Sequence, residues 1–305
     1  MSKNFQPGFV HTPVTPFTRD ARIDYDGYAK LIEFHLKHGA ESLALPMHAG
    51  ESVSLTDAER RTLLEFAIRQ VKGRVPVIAH VSDSGTAIAA ARARHAEQAG
   101  AAAIVATPPY YWTPPPAMLL EHFAMIGSAV RIPFFVYNAP DEMGGVKMTT
   151  DLALKLLARL ENFAGIVDAS LDWQFMIEVI SEARKVRPEF QLLSGTEFLV
   201  SARAIGANGM FSPLAGIAPA LLRGLYDHCR KEQYREARKA QEDIAAVRHM
   251  LKKGGVASLK AALHAMGRDC GAPRYPLLAL GEAERGRLTD ALDAITALGA
   301  EPRGW

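Results

Sequence analysis

Side chains suited to acid–base chemistry follow several short apolar runs in this sequence. Histidine follows the second and third runs, at His48 and His80, and tyrosine follows the fourth and fifth, at Tyr111 and Tyr137. Asp168 follows the sixth run. An imidazole titrates near neutrality, and a phenol donates or accepts a proton when it is held beside a reacting group. These residues therefore predict one site if the fold brings the ends of the runs together.

The apolar runs alternate with helical patterns along the chain, and each run is bounded by turn residues. They cover residues 9–15, 42–45, 75–79, 103–106, 134–136, 164–166, 191–193 and 209–211. Short and continuously apolar runs are typical of parallel strands that are covered on both faces. Three segments share one order of helix end, Gly-Ala, strand and Pro: HGAESLALP (38–46), QAGAAAIVATP (98–108) and AIGANGMFSP (204–213).

Capping signals place the helices between these strands. Asp24 is the predicted N-cap of a helix over about 25–37 that Gly39 ends, and Thr56 with Glu59 forms a capping box for the next helix. Eight such units predict a (β/α)8 TIM barrel over residues 1–225. The remaining residues, 226–305, predict helices packed on the barrel, with breaks at 254–255 and 271–273. No GxGxxG follows the first strand, which argues against a dinucleotide-binding fold.

Composition narrows the class of ligand and the compartment. The chain has 305 residues, of which 49% are hydrophobic and 22% charged, and its net charge is +2. This balance gives no reason to expect nucleic acid or an anionic membrane as a partner, so we expect a small-molecule ligand. The two cysteines, Cys229 and Cys270, are far apart, and no signal peptide or membrane-spanning run is visible. We therefore expect a reduced, cytoplasmic protein.

Seven motifs in order resemble one enzyme family. They are VTPF (14–17), AGES (49–52), PPYY (108–111), YNAP (137–140), GIVD (165–168), LLSG (192–195) and VASLKAALHAMG (256–267). Together they resemble the dihydrodipicolinate synthase and N-acetylneuraminate lyase family. The resemblance implies a (β/α)8 barrel with a helical C-terminal extension, assembled as a homotetramer or homodimer. It also implies a lyase that joins or splits 2-oxo acids, typically pyruvate with an aldehyde, through a Schiff base on lysine.

The chain departs from the family pattern at the lysine itself. The family reads Gly-Ile-Lys-Glu/Asp at the end of the sixth strand, and this chain has Val167 in place of the lysine. Lys147 precedes the helix that comes before this strand, and Lys155 lies within that helix, so neither falls into register. An imine requires an amine, so the usual activation of pyruvate is not expected here.

Further departures fall in the same predicted pocket. In the family's GTTGE motif, one threonine relays a proton to the tyrosine of the YN motif and the other holds the substrate carboxylate. His48 and Ala49 replace them, and Glu142 replaces an arginine that grips a carboxylate in the synthase branch. A glutamate there disfavours an acidic ligand. His80 replaces a residue that is usually small.

We therefore expect a lyase of aldolase or hydratase type that acts on a small carbonyl or hydroxy compound without an imine. Tyr137 and His48 are the predicted acid–base groups, and Tyr111 resembles the family tyrosine that reaches into a neighbouring subunit's site. The predicted substrate-binding residues are Ala49, Gly50, Asn138, Glu142, Val167, Gly195 and His80. No cofactor and no metal are expected.

Each assignment has a structural alternative. His48 alternatively donates to a loop carbonyl, and His80 fills space. Glu51 is expected to be structural and to cap local amides, rather than to act as an acid catalyst. A metal site of two histidines and one carboxylate, formed by His48, His80 and Asp168, is a further alternative. Lys260, with 252–253, is expected to be an ordinary solvated helix charge. For the whole chain, the alternative is a non-catalytic relative that binds a small molecule or supports assembly.

Overall fold

The computed structural model describes residues 5–305, and its eight strands are hydrogen-bonded in chain order into a closed parallel barrel. The strands are β1 (Phe9–His11), β2 (Ser42–Leu45), β3 (Val77–His80), β4 (Ala103–Ala106), β5 (Phe134–Asn138), β6 (Phe163–Asp168), β7 (Gln191–Ser194) and β8 (Gly209–Ser212). A helix follows each strand, as in other (β/α)8 barrels. The predicted fold class is confirmed.

Eleven α-helices lie within the described residues. They are α1 (Tyr25–Lys37), α2 (Asp57–Val71), α3 (Thr86–Ala99), α4 (Pro116–Ser128), α5 (Thr150–Arg159), α6 (Trp173–Val186), α7 (Leu199–Ala204), α8 (Pro219–Arg230), α9 (Tyr234–Lys252), α10 (Gly255–Ala265) and α11 (Glu282–Asp293). The last three confirm the helical C-terminal extension, and the predicted breaks fall before α10 and between α10 and α11. No helix of residues 5–305 has the length and apolar character needed to cross a membrane.

Local chemistry sets the helix ends as the sequence predicts. The Asp24 carboxylate accepts a hydrogen bond from the Gly27 amide at 2.9 Å and caps α1. Gly39 follows that helix with φ +85°, a left-handed conformation that glycine adopts without strain. At the start of α2, the Glu59 amide donates to Thr56 Oγ1, while the Thr56 amide donates to the Glu59 carboxylate. These bonds satisfy amides that have no partner within the helix.

Several predicted strand ends differ from the structure. The run at 9–15 forms a strand only as far as His11. The Thr12 amide still donates to the Ser212 carbonyl on β8, but Pro13 has no N–H to continue the pairing. In contrast, β5 and β6 continue beyond their apolar runs into a polar pair, since Asn138 stays in register with Asp168. The apolar runs of β5 and β6 thus marked only the apolar part of each strand, because their polar ends, Asn138 and Asp168, are also buried.

Contacts divide the chain into two compact units. The first unit comprises the described residues up to Gly8 together with Pro76–Phe211, and the second comprises Phe9–Val75 and Ser212–Trp305. The predicted boundary at residue 225 stays a prediction.

Candidate active site

Tyr137 lies on the inner face of the strands of the first unit. Its ring meets the Phe211 ring edge-on, with 6.3 Å between centroids. Because β5 and β8 are separated by two other strands, this contact crosses the barrel interior. The Tyr137 hydroxyl donates to the carbonyl of Gly195, just after β7, at 3.1 Å. Two predicted site residues, Tyr137 and Gly195, are therefore in contact.

Val167 shares the inner face with Tyr137 and is fully buried. The two residues are register partners on β6 and β5, and partners on neighbouring parallel strands point to the same side. The lysines within the described residues of the first unit all have exposed side chains and lie outside the strands: Lys147, Lys155 and Lys185. None of these amines takes the place that Val167 occupies.

His80 also lies on the inner face, at the end of β3. It pairs with Val105, which pairs with Phe135, and Phe135 shares its face with Tyr137 two residues later. The side chain is buried, and its Nε2 lies 2.7 Å from the hydroxyl oxygen of Ser82. The sequence interpretation missed Ser82, although a hydroxyl two residues after a strand-end histidine is a visible signal.

Asn138 and Asp168 occupy the opposite, outer face of the same strands. The Asn138 amide donates to the Asp168 carboxylate at 2.6 Å and accepts from the Met148 amide at 2.9 Å. Burial raises the pKa of Asp168, and hydrogen bonds from Asn138 and Ser170 oppose that rise. This arrangement ties the loop before α5 to the end of β6. A substrate contact for Asn138 stays a prediction.

The outer position of Asp168 argues against the alternative metal site of His48, His80 and Asp168. His80 and Asp168 belong to one unit but lie on opposite faces of the strands, so they do not converge on one ion. Within residues 5–305, no group of three or more His, Cys, Asp or Glu side chains is arranged to hold a metal ion.

A separate cavity of about 280 Å³ opens beside Asn138 on the outer face. Its lining includes the first residues of α5 and α6. One cation, Lys147, and two carboxylates, Asp172 and Glu178, line it together with the hydroxyl of Thr150. The Lys147 amine lies 3.9 Å from Asp172, and the Thr150 hydroxyl donates to Glu178 at 3.0 Å. Lys147 and Asp172 are thus paired with each other, whereas Glu178 has a neutral partner, Thr150.

In the second unit, the loop after β2 carries the remaining predicted groups. His48 is exposed in a turn, while Ala49 and Gly50 are buried. The Gly50 carbonyl accepts from the Thr15 hydroxyl at 2.7 Å, and a Cβ at Gly50 would lie 3.3 Å from the Pro13 carbonyl oxygen. Close approach of backbone thus favours glycine there. The role of His48 as an acid–base group together with Tyr137 stays a prediction.

Glu51 and Lys260 form a buried ion pair, which corrects the expectation that Lys260 is a solvated charge. The Lys260 amine lies 2.7 Å from Glu51 Oε1, and the two side chains are 2% and 0% exposed. Burial lowers the pKa of Lys260, and the Glu51 carboxylate opposes that change. Glu51 Oε2 also accepts from the Arg274 amide at 2.8 Å. The contacts of Glu51 are therefore structural, in line with the expectation that it caps local amides.

Tyr111 and Glu142 lie in exposed loops of the first unit. Tyr111 is 90% exposed, has φ +74°, and packs edge-on against Trp112 with 5.2 Å between ring centroids. Glu142 is exposed in the turn after β5, where its amide donates to the Ala139 carbonyl at 3.1 Å. Tyr111 thus presents its ring to solvent from a left-handed backbone, which is uncommon for a residue other than glycine.

The fold is a (β/α)8 barrel, and Tyr137 lies on the inner face near the carboxyl end of its strand. In such barrels, the active site lies at the carboxyl ends of the strands. The chain belongs to the dihydrodipicolinate synthetase family, whose sequence model matches residues 6–295. This membership confirms the family resemblance and assigns the chain to a family of lyases.

Individual relatives are similar over nearly their whole length. A 4-hydroxy-tetrahydrodipicolinate synthase of Nitratidesulfovibrio vulgaris is 33% identical over 95% of this chain and 98% of its own. A DapA-like lyase of Halobacterium salinarum is 32% identical over 92% and 91%. Among solved structures, YagE of E. coli K12, a prophage protein in complex with pyruvate, superposes with a TM-score of 0.89, 27% identity and coverage of 95% and 99%.

Proposed function

We propose that this chain is a lyase that acts on a small carbonyl or hydroxy compound without forming a lysine imine. The observation that carries the proposal is Val167, a buried aliphatic residue on the inner face beside Tyr137. By resemblance, the family places its Schiff-base lysine at this position. A valine supplies no nucleophile and fills the space with apolar surface.

The other lysines support the same proposal. Those of the first unit are exposed outside the strands, and Lys260 in the second unit is held by Glu51. An imine-forming amine must be neutral for part of the time and must reach the carbonyl carbon. The Lys260 amine is held by the buried carboxylate of Glu51, so it does not meet the second requirement, reach to the carbonyl carbon.

Without an imine, hydrogen-bonding groups must polarise the substrate. Tyr137 and His48 are the proposed acid–base pair, with a phenol held on the inner face and an imidazole on the loop after β2. The Tyr137 hydroxyl donates to the Gly195 carbonyl, which fixes the direction of its proton. The exposed Glu142 and the small Ala49 weaken any grip on a carboxylate, so the proposed ligand is neutral or cationic.

The direct test is borohydride reduction in the presence of pyruvate, followed by mass spectrometry of the intact protein. We expect no added mass, because no amine occupies the position of Val167. A sample reduced without pyruvate controls for the reagent. A reduced adduct on any lysine of the wild type would overturn the imine-free proposal and locate the amine responsible.

Val167→Lys is the companion variant. It restores an amine to the inner face of β6, and we expect it to give the reduced adduct that the wild type lacks. Glu142 and Ala49 are unchanged in this variant, so adduct formation without restored turnover is the expected combination.

Replacement of the acid–base groups separates a catalyst from a binding protein. Once a turnover assay with a carbonyl or hydroxy compound exists, Tyr137→Phe and His48→Gln should each lower kcat by about 10²–10⁴-fold, the usual contribution of a general acid or base. Full activity in both variants would mean that the acid–base assignment is wrong.

A further inference from the structure

The hydroxyl of Ser82 and the imidazole of His80 form a buried pair that neither the proposed acid–base assignment nor the family motifs use. The oxygen and Nε2 are 2.7 Å apart, and both side chains are buried. His80 lies on the same inner face of the strands as Tyr137. His80 therefore shares its face of the strands with the tyrosine of the proposed acid–base pair.

We propose that Ser82 fixes His80 as a neutral imidazole with its proton on Nδ1, so that His80 serves as a hydrogen-bond donor to the carbonyl oxygen of a small ligand. In this arrangement His80 is the donor and Ser82 is a positioning residue. The ligand class rests on the proposed function, whereas the protonation state of His80 rests on the geometry alone.

The hydrogen bonds of Ser82 determine the direction of its own proton. Its oxygen accepts from the Thr107 amide at 2.8 Å, which uses one lone pair. Among the described residues, the acceptor that the hydroxyl reaches is His80 Nε2. Because the hydroxyl is buried from solvent, its proton goes to Nε2. A neutral ring that accepts at Nε2 carries its proton on Nδ1.

The same geometry disfavours the imidazolium form. If Nε2 of His80 were protonated, its hydrogen would point at the hydrogen of the Ser82 hydroxyl. The hydroxyl would then have to rotate and donate to a different acceptor. A buried hydroxyl without an acceptor is unfavourable. His80 is therefore held as a neutral donor, a form in which imidazole polarises a carbonyl.

Neighbouring groups hold Ser82 in place. Its backbone carbonyl accepts from the Arg92 guanidinium, which pairs with the Asp83 carboxylate at 2.9 Å. Asp83 in turn accepts from the Gly85 amide at 2.8 Å, at the N-cap of α3. The hydroxyl is thus fixed through its own backbone and through a partly buried ion pair, as preorganised donors require.

A fixed donor on the inner face suits a site without an amine. Oxygen of a carbonyl gains negative charge when a bond to the neighbouring carbon is made or broken, and a neutral N–H stabilises that charge without transferring a proton. In mutated enzymes, removal of one such donor lowers kcat by about 10²–10³-fold.

The test is the tautomer of His80, read by long-range 1H–15N NMR on protein labelled with 15N-histidine. His80→Gln identifies the resonances by their loss. We expect wild-type His80 to show a protonated Nδ1 and an unprotonated Nε2 between pH 8 and pH 6. A protonated Nε2, or a doubly protonated ring at pH 7, would overturn the proposal.

Two Ser82 variants test the positioning role. Ser82→Ala removes the hydroxyl, and we expect His80 to shift towards the Nε2-protonated form, while Ser82→Thr retains the hydroxyl and the wild-type tautomer. An unchanged tautomer in folded Ser82→Ala overturns the role of Ser82. If Ser82→Ala does not fold, the wild-type spectrum and Ser82→Thr still decide the outcome.

This experiment is independent of the imine test. A pyruvate adduct would defeat the imine-free function and leave the tautomer intact, whereas a wrong tautomer would defeat the His80 proposal and leave the imine-free function intact.

Discussion

At the scale of single residues, the buried ion pair of Glu51 and Lys260 makes a sharp prediction about stability. Removing one partner leaves an uncompensated buried charge, which typically costs about 3–5 kcal/mol. Lys260→Met should therefore lower the free energy of unfolding by about that amount in urea denaturation, because Glu51 stays buried without its amine. Replacement of both residues by apolar side chains should cost less than Lys260→Met alone.

An exposed pair provides the matched control. The Lys239 amine lies 2.8 Å from Asp243, and the Lys239 side chain is 72% exposed. Lys239→Met should change the free energy of unfolding by no more than about 1 kcal/mol. Equal losses in the two lysine variants would show that Lys260 is solvated after all.

A second residue-scale prediction concerns pH. The Nδ1 atoms of His11 and His35 lie 3.0 Å apart in the second unit, and both rings are buried. Burial lowers the pKa of His35 to about 3, with Arg268 and His38 adding repulsion. Burial also lowers the pKa of His11, followed by repulsion from His35 and Arg223.

The direction of the change in stability with pH follows from proton binding. An unfolded histidine binds a proton below about pH 6.5, whereas these folded rings stay neutral until lower pH. Their contribution to stability is therefore complete above pH 6.5 and is lost as the pH falls towards the folded pKa values. Each site contributes a slope of about 1.4 kcal/mol per pH unit within that window.

His35→Gln should reduce this slope, measured as urea stability at pH 7, 6 and 5. The variant removes one titrating ring, so the loss between pH 7 and pH 5 should be smaller than in the wild type even if the variant is less stable at pH 7. His249→Gln, which alters an exposed ring on α9, should leave the slope unchanged. A wild-type slope retained by His35→Gln would contradict the assignment.

At the scale of elements, the pairing of β6 with β7 depends on a glycine. A Cβ at Gly165 would lie 2.3 Å from the backbone oxygen of its register partner, Gln191. The backbone at Gln191 cannot move away from this Cβ without breaking the pairing of β6 with β7. Gly165→Ala should therefore destabilise the protein by about 1–3 kcal/mol or more. Thermal unfolding measures the change.

A glycine within a helix gives the opposite expectation. Gly286 lies in α11, and a Cβ there meets no described atom within 4 Å. Gly286→Ala should raise stability by about 0.5–1 kcal/mol, because alanine loses less backbone freedom in a helix. If Gly165→Ala were as well tolerated, the close approach of β6 and β7 would be wrong.

At the scale of the whole molecule, we propose a homotetramer or homodimer in which the loop of Tyr111 and Trp112 meets a second copy of the chain. Both rings are exposed in the single chain, and aromatic side chains are enriched among residues that carry binding energy at interfaces. The family resemblance assigns Tyr111 to such a contact. Assembly would cover this pair with apolar surface.

Trp112→Glu should weaken association, because a charge would be buried at the proposed interface. A loss of about 2 kcal/mol or more, typical of an interface hot spot, corresponds to a dissociation constant raised at least about 30-fold. Sedimentation velocity across a dilution series measures the change. Val186→Glu, at an exposed residue ending α6, is the control, and equal dissociation in both would contradict the role of the loop.

The sequence by itself determined the local elements and their order. Apolar runs and caps depend on neighbours within a few residues, so β2 and β4 match their predicted residues and α1 begins after its predicted cap. The valine in the sixth strand was visible for the same reason, because the motif around Val167 is continuous in the chain. Chain-local patterns carry this information without any knowledge of tertiary contacts.

Only the tertiary structure decided which polar groups meet. Lys260 lies in a helix that gave no sign of its buried partner, because Glu51 belongs to a distant loop. The hydroxyl of Ser82 faces His80 because of the backbone path after β3, and Asn138 turns outward because its strand position alternates with that of Tyr137. Burial and hydrogen bonding between residues far apart in sequence, or on a chosen face of a strand, arise only when the strands are paired in register.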